Sequence, residues 1–225
     1  VTPRELIGTA EVPGGPPLRL FRRNDDFMIV LDRNELMSTR MSGSEVALGT
    51  LTCEPLAAHP APRVLIGGYG MGFTLRAVLG PLGAKAEVVV AELVPGIIEW
   101  ARGPMAALTA GCLDDARVDL QMRDVGEVMR EGAGRFDAIL LDVDNGPDGL
   151  TREANEGLYA PAGLAAARRA LRPGGVLAVW SAAPDPAFTR RLLKAGFATE
   201  EVRVKARENG KGASHIIWLA RPRTG

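Results

Sequence analysis

The sequence predicts an α/β fold: a seven-stranded, mostly parallel sheet covered by helices, closed by an antiparallel hairpin and preceded by a small N-terminal β-hairpin. Three observations carry this. From Arg63 onward, short apolar runs alternate with helix-patterned runs, and strands buried on both faces of a parallel sheet read as such unbroken apolar stretches. The last two strand-like runs, "ATEEVRVKA" and "SHIIWLARP", are joined by "RENGKGA" with no helix between them, which makes them an antiparallel pair. Upstream, "LRLF" and "FMIVL" flank "RRNDD", which puts a hairpin turn at Asn24 to Asp26.

The elements follow in order. The turn-rich opening "VTPRELIGTAEVPGGPP" is expected to be loosely held. After the hairpin, "GSEVALGTLTCEPLAAH" has helical spacing at Val46, Leu48, Leu51 and Leu56, stopped by Pro60 and Pro62. "RVLIGG" is the first buried strand and "FTLRAVLG" the helix after it, ending at Gly80–Pro81. "AEVVVAEL" is the second strand, and "PGIIEWARGPMAAL" a helix opened by Pro95. "RVDLQMRD" and "FDAILLDVD" are the third and fourth strands. "GLYAPAGLAAARRALRPGG" is a helix, "VLAVWSA" the fifth strand and "PAFTRRLLKAGF" a further helix. The expected division is an N-terminal unit over 1–58 and the sheet domain over 59–225.

Composition narrows the partners. Lys plus Arg equals Asp plus Glu at 27 each, with 46% hydrophobic residues, so net charge argues for neither nucleic acid nor an anionic membrane. Cys53 and Cys112 show no metal or redox spacing and read as reduced thiols. No apolar run approaches bilayer length and no charged-then-apolar leader pattern opens the chain, so a cytoplasmic setting is expected.

The chemistry starts at "RVLIGGYGMGFTLRAVL", where Gly68, Gly70 and Gly72 alternate directly after a strand. Glycine admits positive φ and lets backbone amides approach a ligand, and a helix N-terminus opens at the same place. A tight turn without a ligand is the plain alternative. A dinucleotide fingerprint would need glycine at position 73, which is Phe73, and a Walker loop needs Gly-Lys-Ser/Thr, which is absent. GxGxG remains. Glu92 ends the second strand, where a carboxylate can accept both ribose hydroxyls of a nucleoside. Asp124 follows the third strand and either accepts from an adenine amine or serves the turn itself. Tyr69, Leu93 and Val125 complete the expected nucleoside-binding set. At the end of the fourth strand, Asp142 is expected to be partly desolvated and to orient or deprotonate an attacking nucleophile. Asp144 and Asn145 are expected near the acceptor. No metal is expected, because further oxygen ligands after the next strand, "WSAAP", are missing.

Strand layout and GxGxG together match the Rossmann-like class I S-adenosylmethionine-dependent methyltransferase sheet. Within that superfamily the chain resembles the spermidine synthases, through "PLAAHPAPRVLIGGYGMGFTLRAVL", "VVVAELVPGIIEWAR", "FDAILLDVDNGPDGL" and "LYAPAGLAAARRALRPGGVLAVWSA". The resemblance implies a pocket for S-adenosylmethionine or its decarboxylated form, with Glu92 on the ribose, Asp124 near adenine and Asp142 catalytic. It also implies a small-molecule acceptor and a homodimer. The departures fall on the polyamine side. The aspartate of the family's glycine loop has no counterpart here, and the family's Tyr-His-Glu is replaced by "EVALGTLTCEP", where Glu45 could substitute. Its Asp-Ser-Thr-Asp is Asp142-Val143-Asp144-Asn145. Burying a dication without those carboxylates leaves charge uncompensated. The favoured expectation is therefore methyl transfer to a small nucleophile, with aminopropyl transfer to a polyamine and a non-catalytic nucleoside-binding protein as alternatives.

Overall fold

The computed structural model describes residues 3–143, 147 and 157–223. Two sheets organise it. The larger has seven strands in the order β10-β11-β9-β8-β5-β6-β7. These strands are β5 (Arg63–Gly67), β6 (Glu87–Glu92), β7 (Val118–Met122), β8 (Phe136–Leu141), β9 (Leu171–Ser181), β10 (Phe197–Lys205) and β11 (Ser214–Pro222). β5 to β9 run parallel, while β11 is antiparallel to both β9 and β10. The sheet and its closing hairpin are those the sequence predicts.

Six helices are described: α1 (Gly43–Cys53), α2 (Phe73–Leu79), α3 (Pro95–Arg102), α4 (Val125–Arg130), α5 (Pro161–Ala170) and α6 (Pro186–Lys194). Alternation along the strands divides the core between the two faces of the sheet. Val64 and Ile66 of β5, with Ala138 and Leu140 of β8, join α1, α2 and α3 in one apolar layer. Leu65, Ile139 and Leu141 join α4, α5 and α6 in the other.

The N-terminal unit is larger than the expected hairpin. The turn at Asn24 is there, with φ of 56° at that residue, but the hairpin is the centre of a four-stranded antiparallel sheet. Its strands are β1 (Glu5–Ala10), β2 (Leu18–Arg23), β3 (Asp26–Leu31) and β4 (Asn34–Ser38). The stretch expected to be loose thus holds an edge strand. Its register shifts between Leu6 and Gly8, and a Cβ at Gly8 would stand 2.7 Å from Trp100 Nε1 of α3. Glycine here lets the small sheet settle onto α3.

Four helix expectations need correction as well. The run "GLYAPAGLAAARRALRPGG" is helical as α5 only over Pro161–Ala170, and its "LRPGG" opens β9 instead of closing the helix. α1 stops at Cys53, before the short 3-10 turn Glu54–Leu56 that contains Pro55, rather than at Pro60. α3 stops at Arg102, because Gly103 and Pro104 follow. The short α4 was not expected at all. Among the described residues no helix is long and apolar enough to cross a membrane.

Candidate active site

The carboxyl ends of β5, β6, β7 and β8 open into one cleft. This is where a doubly wound sheet offers its strand ends to a ligand. Its floor includes Gly68, Gly70, Glu92, Leu93, Asp124, Val125 and Asp142. Its roof is the apolar underside of the small sheet: Leu18, Ile29, Leu31, Leu36 and Met37.

The glycine loop is shaped by backbone demand. Gly68, Gly70 and Gly72 have φ of 87°, 57° and 82°, a region that side chains with a Cβ rarely enter. At Gly68 a Cβ would lie 2.5 Å from the carbonyl oxygen of Asp142. The loop and the β8 end are therefore in direct contact, an arrangement further fixed by Asp142 N donating to Gly67 O at 3.0 Å. Tyr69 turns its ring inward, with its hydroxyl 3.5 Å from Thr109 Oγ1, and burial pushes that phenol up to about 12. Tyr69 itself does not line the cleft, and its backbone N–H serves Glu92. Gly72 caps α2 and does not line the cleft.

Glu92 is buried and gathers amides. Oε1 accepts from Leu93 N and Val94 N, each at 2.8 Å, and Oε2 accepts from Tyr69 N at 2.8 Å. Burial raises its pKa, and the amides of Tyr69, Val94, Leu93 and Gly70 oppose that rise. One consequence is chemical exclusion. A loop that would otherwise offer its N–H groups to a phosphate already has them neutralised by a carboxylate, which suits an uncharged sugar better than a pyrophosphate. Asp124 caps α4, its Oδ1 accepting from Glu127 N at 3.2 Å, and also lines the cleft. The turn role is the one seen here; its place in the cleft lining leaves the carboxylate accessible to a ligand.

Asp142 is half-buried. Its Oδ2 accepts from Thr74 Oγ1 at 2.7 Å. Burial pushes its carboxyl up to about 6, against the opposing pull of that hydroxyl. Thr74 belongs to the first turn of α2, and its role was missed in the sequence, where "GFTLR" gives no sign that the hydroxyl turns toward β8. The roof residues were missed for another reason: the packing of one sheet over the other has no local pattern. Asp144 and Asn145, expected near the acceptor, lie outside the described residues, as does Asp148.

Comparison with known proteins agrees with this geometry. The sequence profile described as the spermine/spermidine synthase domain matches residues 49–195. A polyamine aminopropyltransferase of Mycobacterium tuberculosis is 33% identical over 186 residues, which is 79% of this chain and 34% of that protein. The polyamine aminopropyltransferase of Ruegeria sp. (strain TM1040) is 30% identical, covering 74% of this chain and 57% of its own. A spermidine synthase of Dictyostelium discoideum is 36% identical over 129 residues, 56% of this chain and 43% of that one. The chain thus spans between about a third and just over half of these relatives' length. Among solved structures, spermidine synthase from Thermotoga maritima superposes with a TM-score of 0.72 at 22% identity, covering 96% of this chain and 72% of its own.

These relatives overturn the preference for methyl transfer, since they are named for aminopropyl transfer and spermidine synthesis. The eroded diamine motifs were given too much weight, because missing carboxylates at expected positions say nothing about carboxylates supplied from elsewhere. The non-catalytic alternative falls with it, as the relatives are enzymes by name. With its profile match, sheet order and strand-end cleft in agreement, the chain belongs to the spermine/spermidine synthase family.

Proposed function

We propose that this chain transfers an aminopropyl group from decarboxylated S-adenosylmethionine to an amine, using the cleft between its two sheets. The observation that carries the choice of donor is the charge around the reacting end. Among the described residues lining the cleft, Arg123 is the only cation. It sits beside Asp124 and pairs with Glu131 at 2.5 Å and Glu127 at 3.5 Å. Near Asp142 the described lining is Gly68, Gly70, Met37 and Val143, with no group to receive a carboxylate. Asp142 would repel the carboxylate of S-adenosylmethionine and favour the amine tail of the decarboxylated donor. Family relatives named for aminopropyl transfer support the same donor.

In this reading Leu93, Val94, Ile97 and Val125 flank the adenine, and Asp124 accepts from its exocyclic amine. Glu92 sets the loop and takes the ribose hydroxyls, exchanging amide partners for sugar partners as the ligand enters. A sulfonium donor supplies a leaving group that departs as a neutral thioether. Asp142 accepts a hydrogen bond from the acceptor amine and aims its lone pair. The nitrogen lone pair forms the new C–N bond, the C–S bond breaks, and its electron pair stays on sulfur to leave methylthioadenosine. One N–H proton passes by way of Asp142 to solvent. Alignment of two reactants in one cleft is the larger gain, and the base adds to it.

The test is to incubate the protein with decarboxylated S-adenosylmethionine and putrescine and follow products by mass spectrometry. Methylthioadenosine and an aminopropylated amine are expected in equal amounts. Donor binding with no amine product would sink the reading, as would methyl transfer from S-adenosylmethionine.

A further inference from the structure

We propose that Thr74 is the positioning residue of Asp142: its hydroxyl aims the carboxylate at the acceptor amine and serves it in both protonation states. This inference rests on the aminopropyl reading above and adds to it how the base is held.

The backbone around Asp142 is fixed on three sides. Asp142 N donates to Gly67 O at 3.0 Å, Gly68 sits so close that a Cβ would strike the Asp142 carbonyl, and the next carbonyl, that of Val143, accepts from the Tyr159 hydroxyl at 3.2 Å. The side chain is left to Thr74, whose Oγ1 donates to Oδ2 at 2.7 Å. Among the described residues no other group hydrogen-bonds that carboxylate. With Oδ2 engaged, Oδ1 is the oxygen that remains for a substrate N–H.

A threonine inside a helix ordinarily returns its hydroxyl to a carbonyl one turn earlier. Thr74 is the second residue of α2 and has no helical turn behind it, so its hydroxyl turns outward. Gly49 brings α1 against this end of α2, since a Cβ there would lie 3.0 Å from Thr74 O. The Glu45 carbonyl oxygen is thereby placed 3.3 Å from Thr74 Oγ1. Thr74 is only 2% exposed, so its partners must come from the protein. It has one proton and two acceptors in reach. While Asp142 is an anion it is the stronger acceptor and keeps that proton. Once Asp142 has taken the proton of the amine it is the weaker one, and the Thr74 proton swings to the Glu45 carbonyl. Thr74 loses no proton of its own, and in neither state is a buried hydroxyl left unpaired. The base can therefore charge and discharge without moving the backbone. The other titratable and charged groups around it are Glu45 of α1, which feels the charge of Asp142, and Glu92, Arg123 and Asp124 of the cleft. His215 of β11 is engaged with Ser44 Oγ at 2.8 Å.

The experiment follows the Asp142 carboxyl itself, by carbon NMR of the full chain labelled at aspartate, with the resonance identified by its loss in D142N. Wild type, T74S, T74C and T74V are titrated, and kcat, putrescine KM, methylthioadenosine affinity and thermal melting are measured on each. Thr74 does not line the cleft, so methylthioadenosine should bind all four alike. T74V keeps the shape of threonine without the donor. It is expected to raise the Asp142 pKa by about one pH unit or more and to carry the acid limb of kcat/KM with it. Its kcat should fall roughly tenfold, with the putrescine KM changed less. T74S keeps the hydroxyl and regains most of the loss. An unmoved Asp142 resonance in T74V overturns the role, as does a T74S protein as impaired as T74V. Should T74V fail to fold, T74C decides: its weak donor should give a smaller shift in the same direction, and no shift overturns the role. If the resonance moves in T74V but wild type forms no aminopropylated amine, Thr74 still holds Asp142 and the aminopropyl reading is the one overturned.

Discussion

Asp142 stands between two demands, and its substitution should separate them. As an anion it is wanted beside an amine, yet burial makes the anion expensive, so its pKa lies at about 6 rather than 3.8. A carboxyl raised in this way holds its proton in the folded state after the unfolded chain has released it. Stability from this group is therefore greatest below about pH 3.8 and declines as pH climbs through 6. D142N removes the penalty and keeps a carbonyl oxygen for Thr74. At pH 7.5 it should be the more stable protein, by as much as ~3 kcal/mol if the whole shift is recovered, and the gap should close near pH 4. Product formation should drop by roughly 10²–10⁴, and the wild-type kcat/KM should fall on the acid side near pH 6. Thermal melts at both pH values check the first claim; a D142N protein less stable at pH 7.5 would refute the desolvation account. Asp142 was legible in the sequence because an acid directly after "FDAILL" stands out. The burial of Glu45 was not, since the apolar spacing follows Val46, Leu48, Leu51 and Leu56, of which only Leu48 is fully buried while the other three pack at the core's margin.

At the scale of elements, the sheet was readable because β5, β6, β8 and β9 carry continuous apolar runs, while β7 and β10 alternate apolar with polar residues. What was missed lacks that contrast. β1 is a half-exposed edge strand broken by Gly8, β4 has five residues, and α4 has six with a glycine inside. Tertiary contact rather than local preference holds each of them. The same logic governs the meeting of α1 with α2. Alanine is ordinarily preferred over glycine in a helix by about 0.5–1 kcal/mol, so G49A would stabilise an isolated α1. Here the added methyl would meet Ala77 Cβ at 2.6 Å and the backbone oxygen of Thr74 at 3.0 Å, and overpacking of that kind costs about 1–3 kcal/mol. The second effect is the larger. G49A should lower stability in urea titrations. A stabilised G49A protein would mean that the two helices are not in such close contact.

For the whole molecule, the cleft is a property of two sheets and belongs to neither. The acidic and glycine-rich floor was read from strand ends, but a floor alone leaves any bound ligand half in water. The roof comes from Ile29 and Leu31 of β3 and from Leu36 and Met37 of β4, consecutive residues at a register shift in that pairing, and Met37 reaches so far that a Cβ on Gly70 would lie 2.7 Å from its Cε. A ligand in this cleft must therefore touch both units and couple their stabilities. A nucleoside bound at a hundred times its Kd stabilises the folded state by ~2.7 kcal/mol, and the coupling decides where that stabilisation is felt. Hydrogen exchange with and without methylthioadenosine should slow amides after β5, β6 and β7 and, to a similar degree, those of β3 and β4. Confinement of the protection to the larger sheet would show the roof to be a bystander, leaving recognition to the floor. M37A adds a second reading of the same coupling. It opens the roof over Gly70 without touching a polar contact of the floor, so it should weaken the nucleoside and reduce protection in β3 and β4 together.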